Sequence, residues 1–230
     1  PRSVPRVDDR RVLNGIFWIL RSGAPWRIYP RAGSYTTCYN RFVLWRYAGV
    51  WDRILTAISH RDDAEVQMIE ADGRAHQHAS CIPNSASEGF GRSRGGLTTK
   101  IHAVVDANGL PLQVMITGGQ QHHSLMAVLY LKAYRAAEWF SPTGLGRDRD
   151  KNVREFTWML GEHPAPSERR DPICFSPYLL RHRNHVERFF NRMKHCRRIA
   201  TRYEKHAANF LAFVKLAAIR DWLRVNESTA

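Results

Sequence analysis

The sequence predicts an α/β fold in which a small helical module precedes a larger strand-containing domain, and three changes of pattern predict it. Residues 8–59 alternate amphipathic helical stretches with turn signals, the apolar spacing turns to strand-like alternation near residue 66, and a helical pattern returns from Asn184. The expected division is a helical module over residues 1–60 and an α/β domain over 61–230. At 230 residues and 43% hydrophobic composition, the chain can bury one substantial core plus an accessory unit, and disorder is excluded as the default.

Taken in order, RRVLNGIFWILRS places Val12, Ile16 and Leu20 on one helical face, and GAPWRIYPRAGS interrupts it with Gly and Pro. The next stretch, TTCYNRFVLWRYAGVWDRILTAI, offers Phe42, Trp45, Val50, Trp51, Ile54 and Leu55 to a core and leaves Arg41, Arg46 and Arg53 for the surface. Two helices joined by a short Ala-Gly turn fit a helix-turn-helix-like module, which would put these three arginines on DNA; an all-helical packing unit with solvated arginines is the alternative.

VQMIEA reads as a short strand, and TTKIHAVVDANGLPLQVMITG as two strands around Asn108-Gly109, a dipeptide suited to the left-handed angles of a hairpin turn. Ile101, Ala103 and Val105 share one face; Leu112, Val114 and Ile116 share a face of the partner strand. SASEGFGRSRGGL reads as a loop that either touches phosphate or simply connects. Residues 120–172 settle into no period. Beyond them, Val186, Phe189, Phe190 and Met193 form a helical face opposite Glu187, Asn191, Lys194 and Arg198, and AANFLAFVKLAAIRDWL is apolar enough for a buried helix.

The balance of 35 Lys+Arg against 21 Asp+Glu leaves a net charge of +14, which favours a polyanionic partner, nucleic acid first, because each neutralised phosphate releases a counterion. Cys38, Cys81, Cys174 and Cys196 form no CxxC pair, so neither a zinc ribbon nor a disulfide framework is indicated and a reduced cytoplasm is expected. No apolar run approaches the ~18 residues that cross a bilayer, so no membrane partner is expected.

Glu187 and Lys194 lie seven residues apart and project from nearly the same side of a helix, with Arg183 one turn before the carboxylate. Such a face is either a solvated ion-pair surface or a device in which Glu187 holds a divalent metal while Arg183 and Lys194 grip DNA phosphates. His76, His78, His102, His122 and His123 raise a transition-metal site, a weaker reading than a structural or DNA-contacting role.

The segment Arg183-x3-Glu187-x6-Lys194 closely resembles the carboxylate signature of DDE transposases of bacterial insertion sequences, in the group named after insertion sequence five and related to the insertion-sequence-four-like domain. DRRVLNGIFWILRSGAPWR, YTTCYNRFVLWRYAGVWDRIL, GRSRGGLTTKIHAVVDANGLPLQ and RRIATRYEKHAANFLA extend the resemblance in the family's order over more than half the chain. It implies a ribonuclease-H-like catalytic domain whose two aspartates and one glutamate bind two Mg²⁺ ions for cleavage and strand transfer at transposon ends. The implied partner is double-stranded DNA carrying terminal inverted repeats, bound by a homo-oligomer in the bacterial cytoplasm and nucleoid.

Carried over residue by residue, the resemblance assigns the acids and metal ligands as Glu70, Asp148 and Glu187, with Asp72 and Asp150 as second candidates, and assigns Arg183 and Lys194 to DNA. The chain departs from the family pattern in four places. Leu180 stands where a tyrosine is usual, Glu70 replaces the first aspartate, the interval to His76 is one residue short, and the Asp148 tract lacks its Gly-Tyr pair and preceding strand. These departures predict a transposase that cuts weakly. The rival readings are a DNA-binding protein of the same ancestry whose catalysis has decayed, and a metal-dependent nuclease without a joining step.

Overall fold

A computed structural model describes residues 7–29, 35–59, 68–75, 87–93, 96–106, 108–121 and 177–228. The described residues form helices combined with an antiparallel sheet. Helix α1 (Asp9–Ser22) begins where the Asp8 side chain accepts the Arg10 N–H, and it buries Val12, Ile16, Ile19 and Leu20. A single 3₁₀ turn over Trp26–Ile28 leads to α2 (Tyr35–Tyr47) and, through Ala48 and Gly49, to α3 (Val50–Ser59). The two helices and Ala-Gly turn expected from the sequence are present. Gly15 lets α1 approach closely: a Cβ there would lie 3.0 Å from both the Cys38 sulfur and the Tyr29 ring. Of the core candidates in α2 and α3, Phe42, Trp51 and Leu55 are buried and Trp45 and Val50 are half-buried, but Ile54 is exposed.

The sheet is organised on one long strand. β1 (Met68–Ala75), β2 (Gly91–Ser93), β3 (Gly96–Val105) and β4 (Pro111–Gly118) are all antiparallel to their partners, and β3 pairs with each of the other three. β1 takes one edge of β3. β2 and β4 divide the other, with Gly91 opposite Thr98 and Gly118 opposite Thr99. Ile101, Ala103 and Val105 are buried on one face as their spacing predicts; His102 and Val104 on the opposite face are buried too, so β3 is sandwiched rather than half-solvated.

The β3–β4 connection is longer than a two-residue turn. Asp106 organises it, its carboxylate accepting the Asn108 N–H at 2.9 Å and the Leu110 N–H at 2.7 Å, and a bulge falls at Val104/Val105. Gly109 is required here twice over. Its φ is +76°, and a Cβ would lie 2.8 Å from the His185 carbonyl oxygen.

The C-terminal third supplies α4 (Pro177–Lys194), the short α5 (Arg197–Ala200) and α6 (Ala207–Ser228). Their apolar faces, including Val186, Phe189, Phe190, Met193, Phe210, Phe213 and Leu216, join those of α1–α3 and of β3 in one continuous core. Phe42 of α2 stacks on Phe213 of α6 with ring centroids 4.5 Å apart. The helices of residues 1–60 are therefore packed into the same interior as the rest. No helix among the described residues is long and apolar enough to cross a membrane.

Arg198, which helical spacing places on the solvent face beside Glu187 and Lys194, is buried instead. The helix breaks at His195 and Cys196, so Arg198 belongs to α5 and not to α4. Its guanidinium binds the buried Glu204 carboxylate (Nε to Oε1, 2.8 Å) and the Ala24 carbonyl (2.8 Å), and lies over the Phe213 ring. Arg202, also buried, reaches further. It donates to the carbonyls of Glu204 (2.9 Å), Glu88 (2.8 Å) and Lys205 (3.1 Å) and to the Thr99 hydroxyl (2.6 Å), while lying 3.7 Å from the centroid of Phe90. Burial pushes this guanidinium down to about 10, opposed by the charges of Glu88 and Glu204, and it stays protonated near neutrality.

Glu88 closes the arrangement from the other side. Its carboxylate accepts the Ala207 N–H at 2.6 Å, satisfying a donor at the start of α6, and lies 3.3 Å from His206 Nδ1. The Ala207 N–H above all holds the Glu88 carboxyl below its ordinary value of 4.5; desolvation opposes it, and the His206 hydrogen bond and the charges of His206 and Arg202 add to the lowering. A depressed folded-state carboxyl stabilises the fold above its unfolded value, and that stability is lost as pH falls through the folded value. Acid titration of unfolding free energy should therefore fall more steeply below pH 4.5 in the wild type than in Glu88→Gln. Parallel acid limbs would remove Glu88 as a stabilising anion.

Candidate functional site

The candidate site forms where α4 passes β1. The register sets Glu70 opposite Ala103 and Asp72 opposite Ile101. Across from them, α4 seats Val186, Phe189, Phe190 and Met193 in the core and leaves Glu187 and Lys194 exposed. The two elements are joined by an ion pair: Lys194 Nζ lies 3.0 Å from Asp72 Oδ2, both side chains partly exposed.

Two contacts fix the direction of α4. Midway along it the His185 carbonyl abuts Gly109 at the hairpin end of the sheet, the end where Met68 pairs with Val105, and at its last residue Lys194 meets Asp72. α4 thus runs alongside β1 in the same direction. Glu187 precedes Lys194 by about 10 Å of helix, on the side of Asp72 toward the Met68 end of β1. Arg192 holds this pose. Its Nε donates to both oxygens of Asp221 on α6 (2.9 and 2.8 Å), and its Nη2 to the Gly109 carbonyl (2.7 Å).

Asp72 and Lys194 are thus in contact, while Glu70 lies on β1 and Glu187 on the helix that packs beside it. The Arg183 backbone is also in α4. Asp148 and Asp150 lie outside the described residues, as do His76, His78, His122 and His123. His102 is buried in β3 with its Nε2 2.7 Å from the Thr117 hydroxyl, a structural placement.

Among the described residues no group of three or more His, Cys, Asp or Glu converges to hold a metal ion. At Asp72 the Lys194 ammonium already lies 3.0 Å from Oδ2. Of the expected ligands Glu70, Asp148 and Glu187, only Glu187 has a described side chain, so the described residues by themselves do not make up the two-Mg²⁺ centre.

The arginines expected on DNA from the helical module have partners within the chain. Arg41 pairs with Asp9 at 3.1 Å, Arg46 donates to Asn209 of α6 and lies 4.1 Å from the Tyr47 ring centroid, and the exposed Arg53 donates to the Ala48 carbonyl at 2.7 Å. Residue-type spacing gave no sign of Arg192, Arg198 and Arg202 as the residues that hold the site's scaffold. One cue was available: the short, irregular run between two helices, RRIATRYEKH, in which a break in helical period turns a surface arginine inward.

A family described as "Putative transposase of IS4/5 family" matches residues 1–55, the span of α1, α2 and most of α3. The "Putative transposase for insertion sequence element IS6501" of Brucella ovis is 35% identical over 133 residues, 56% of this chain and 100% of that relative. The chain belongs to the insertion-sequence transposases. Two further relatives match this transposase. "Uncharacterized protein y4sN" of Sinorhizobium fredii is 36% identical over 94 residues, 40% of this chain and 69% of the relative. The "Insertion element IS402 uncharacterized 16.2 kDa protein" of Burkholderia cepacia is 43% identical over 57 residues, 24% of this chain and 38% of the relative. No solved structure matches.

Because Asp72 and Lys194 are both partly exposed, water screens their attraction. A double-mutant cycle on Asp72→Asn and Lys194→Met, read by urea denaturation, should give a coupling of about 1 kcal/mol or less. A coupling above about 3 kcal/mol, the range of a dry buried pair, would contradict this picture of a half-solvated contact.

Proposed function

We propose that this chain recognises duplex DNA at the ends of its insertion element and carries a ribonuclease-H-like catalytic domain in which strand cleavage and joining are attenuated. The observation that carries the reading is the Lys194–Asp72 contact, because it lays the helix bearing Glu187 along the strand bearing Glu70. An acid-bearing strand of an antiparallel sheet, with an acid-bearing helix beside it, is the arrangement phosphodiester chemistry would need from Glu70 and Glu187, with Asp148 as the expected third acid.

The same contact argues for weak cutting. Asp72 is given to an ammonium, and Glu70 is one methylene longer than the aspartate usual in the family; a displacement of ~1 Å in a reacting group costs ~10²-fold where rate depends on positioning. DNA recognition needs neither carboxylate. It draws on the net charge of +14, part of which the internal arginine contacts already use.

The test supplies end DNA of the element, with and without Mg²⁺, to the wild type and to Glu187→Gln. Both proteins should retain the duplex equally, and the wild type should cut little above the Glu187→Gln background. Vigorous Mg²⁺-dependent cleavage by the wild type, abolished by Glu187→Gln, would establish a fully working active site and refute attenuation. Failure of the wild type to bind any duplex would remove the reading altogether.

A further inference from the structure

We infer that the duplex is gripped at the β2–β3 end of the sheet, by Arg92 and Lys205, and not primarily by the arginines of α2 and α3. This deepens the proposed function and rests on it.

Two cation-bearing segments far apart in sequence are locked side by side here. Arg202 Nη2 donates both to the Glu88 carbonyl (2.8 Å) and to the Lys205 carbonyl (3.1 Å), so the approach to β2 and the approach to α6 share one buried nitrogen. The Thr99 hydroxyl, itself a partner of Arg202, donates to the Gly89 carbonyl at 2.7 Å and ties both segments to β3. Arg92 and Lys205 are exposed, and among the described residues neither has a carboxylate partner. The nearest acid, Glu88, is committed to the Ala207 N–H and His206. The cations are thus carried on rigid backbone while their charges face solvent, the arrangement that makes phosphate contact cost little ordering.

The sheet register relates this pair to Lys194. Arg92 lies opposite Leu97 and Asp72 opposite Ile101, positions of the same parity on β3 and therefore on the same face. The two positions are four residues apart along β3, about 13 Å, and lie on opposite sides of it, two strand spacings of about 4.8 Å apart, which makes about 16 Å in all, close to five steps of duplex DNA at about 3.4 Å each. Lys194, held beside Asp72, and Arg92 can therefore reach phosphates of one duplex. Unlike Arg92 and Lys205, Arg41, Arg46 and Arg53 already donate to groups within the chain, Asp9, Asn209 and the Ala48 carbonyl.

The experiment measures affinity for a 30-base-pair duplex, chosen as about three helical turns, by fluorescence anisotropy across 50–200 mM salt. It compares the wild type, Arg92→Ala/Lys205→Ala, and the equal-charge control Arg10→Ala/Arg11→Ala, whose side chains are exposed on α1. The Arg92/Lys205 variant should lose about 1.8 from the magnitude of the log K against log salt slope, two phosphate contacts at about 0.9 each. The control should keep the wild-type slope, and all three should melt together because every altered side chain is exposed. Equal losses in the two variants would mean that net charge alone attracts DNA, and an unchanged slope in Arg92→Ala/Lys205→Ala would mean that DNA lies elsewhere; either result overturns the assignment while leaving the proposed function standing. Absence of wild-type binding would overturn both.

Discussion

Arg202 is the contact on which the rest of the structure depends. The segment before β2, the central strand β3 and the turn into α6 are brought together around one guanidinium, which no aliphatic side chain could replace without removing the donor to the buried Glu204 carbonyl and Thr99 hydroxyl and to the part-buried carbonyls of Glu88 and Lys205. Its five N–H donors in a fixed plane suit this task, and the rings of Phe90 and Phe210 cover it. Glu88 adds the second half of the joint by taking the first free N–H of α6. Through α6, which bonds Arg192 of α4 by Asp221, the joint also bears on the helix that carries Glu187.

The chain therefore uses its basic residues in two ways. Arg192, Arg198 and Arg202 hold helices to sheet and to the Ala24 loop, and Arg46 connects α2 to α6 through Asn209. A formal charge of +14 consequently overstates what is available to a polyanion. The exposed remainder, including Arg92, Lys194 and Lys205, is where an interaction with DNA is least costly, since no internal bond to a buried group must be broken to make it.

What could be read from sequence follows from the range of the interactions. Local periodicity placed Val12, Ile16 and Leu20 inside, found the α2 and α3 pair, and put Ile101, Ala103 and Val105 on one buried face, because each of these is decided within a few residues of chain. Arg198 went astray because extrapolating one helical period past His195 ignores a break that tertiary contacts with Glu204 and Ala24 impose. The hairpin at Asn108-Gly109 was legible, but its length was set by Asp106 bonding two backbone N–H groups, an effect dipeptide rules omit. At the candidate site, the spacing of Glu187 and Lys194 gave one helical side correctly. That Lys194 meets Asp72 depends on how α4 lies along β1, which no spacing encodes.

The most direct test is native-state hydrogen exchange on Arg202→Met, which keeps an unbranched apolar stem and removes the donors. If one guanidinium couples the sheet to the C-terminal helical layer, amides of Thr98–Ile101 and of Ala207–Phe210 should lose protection together and by the same free energy. Wild-type protection in either segment, with loss confined to the other, would contradict that coupling.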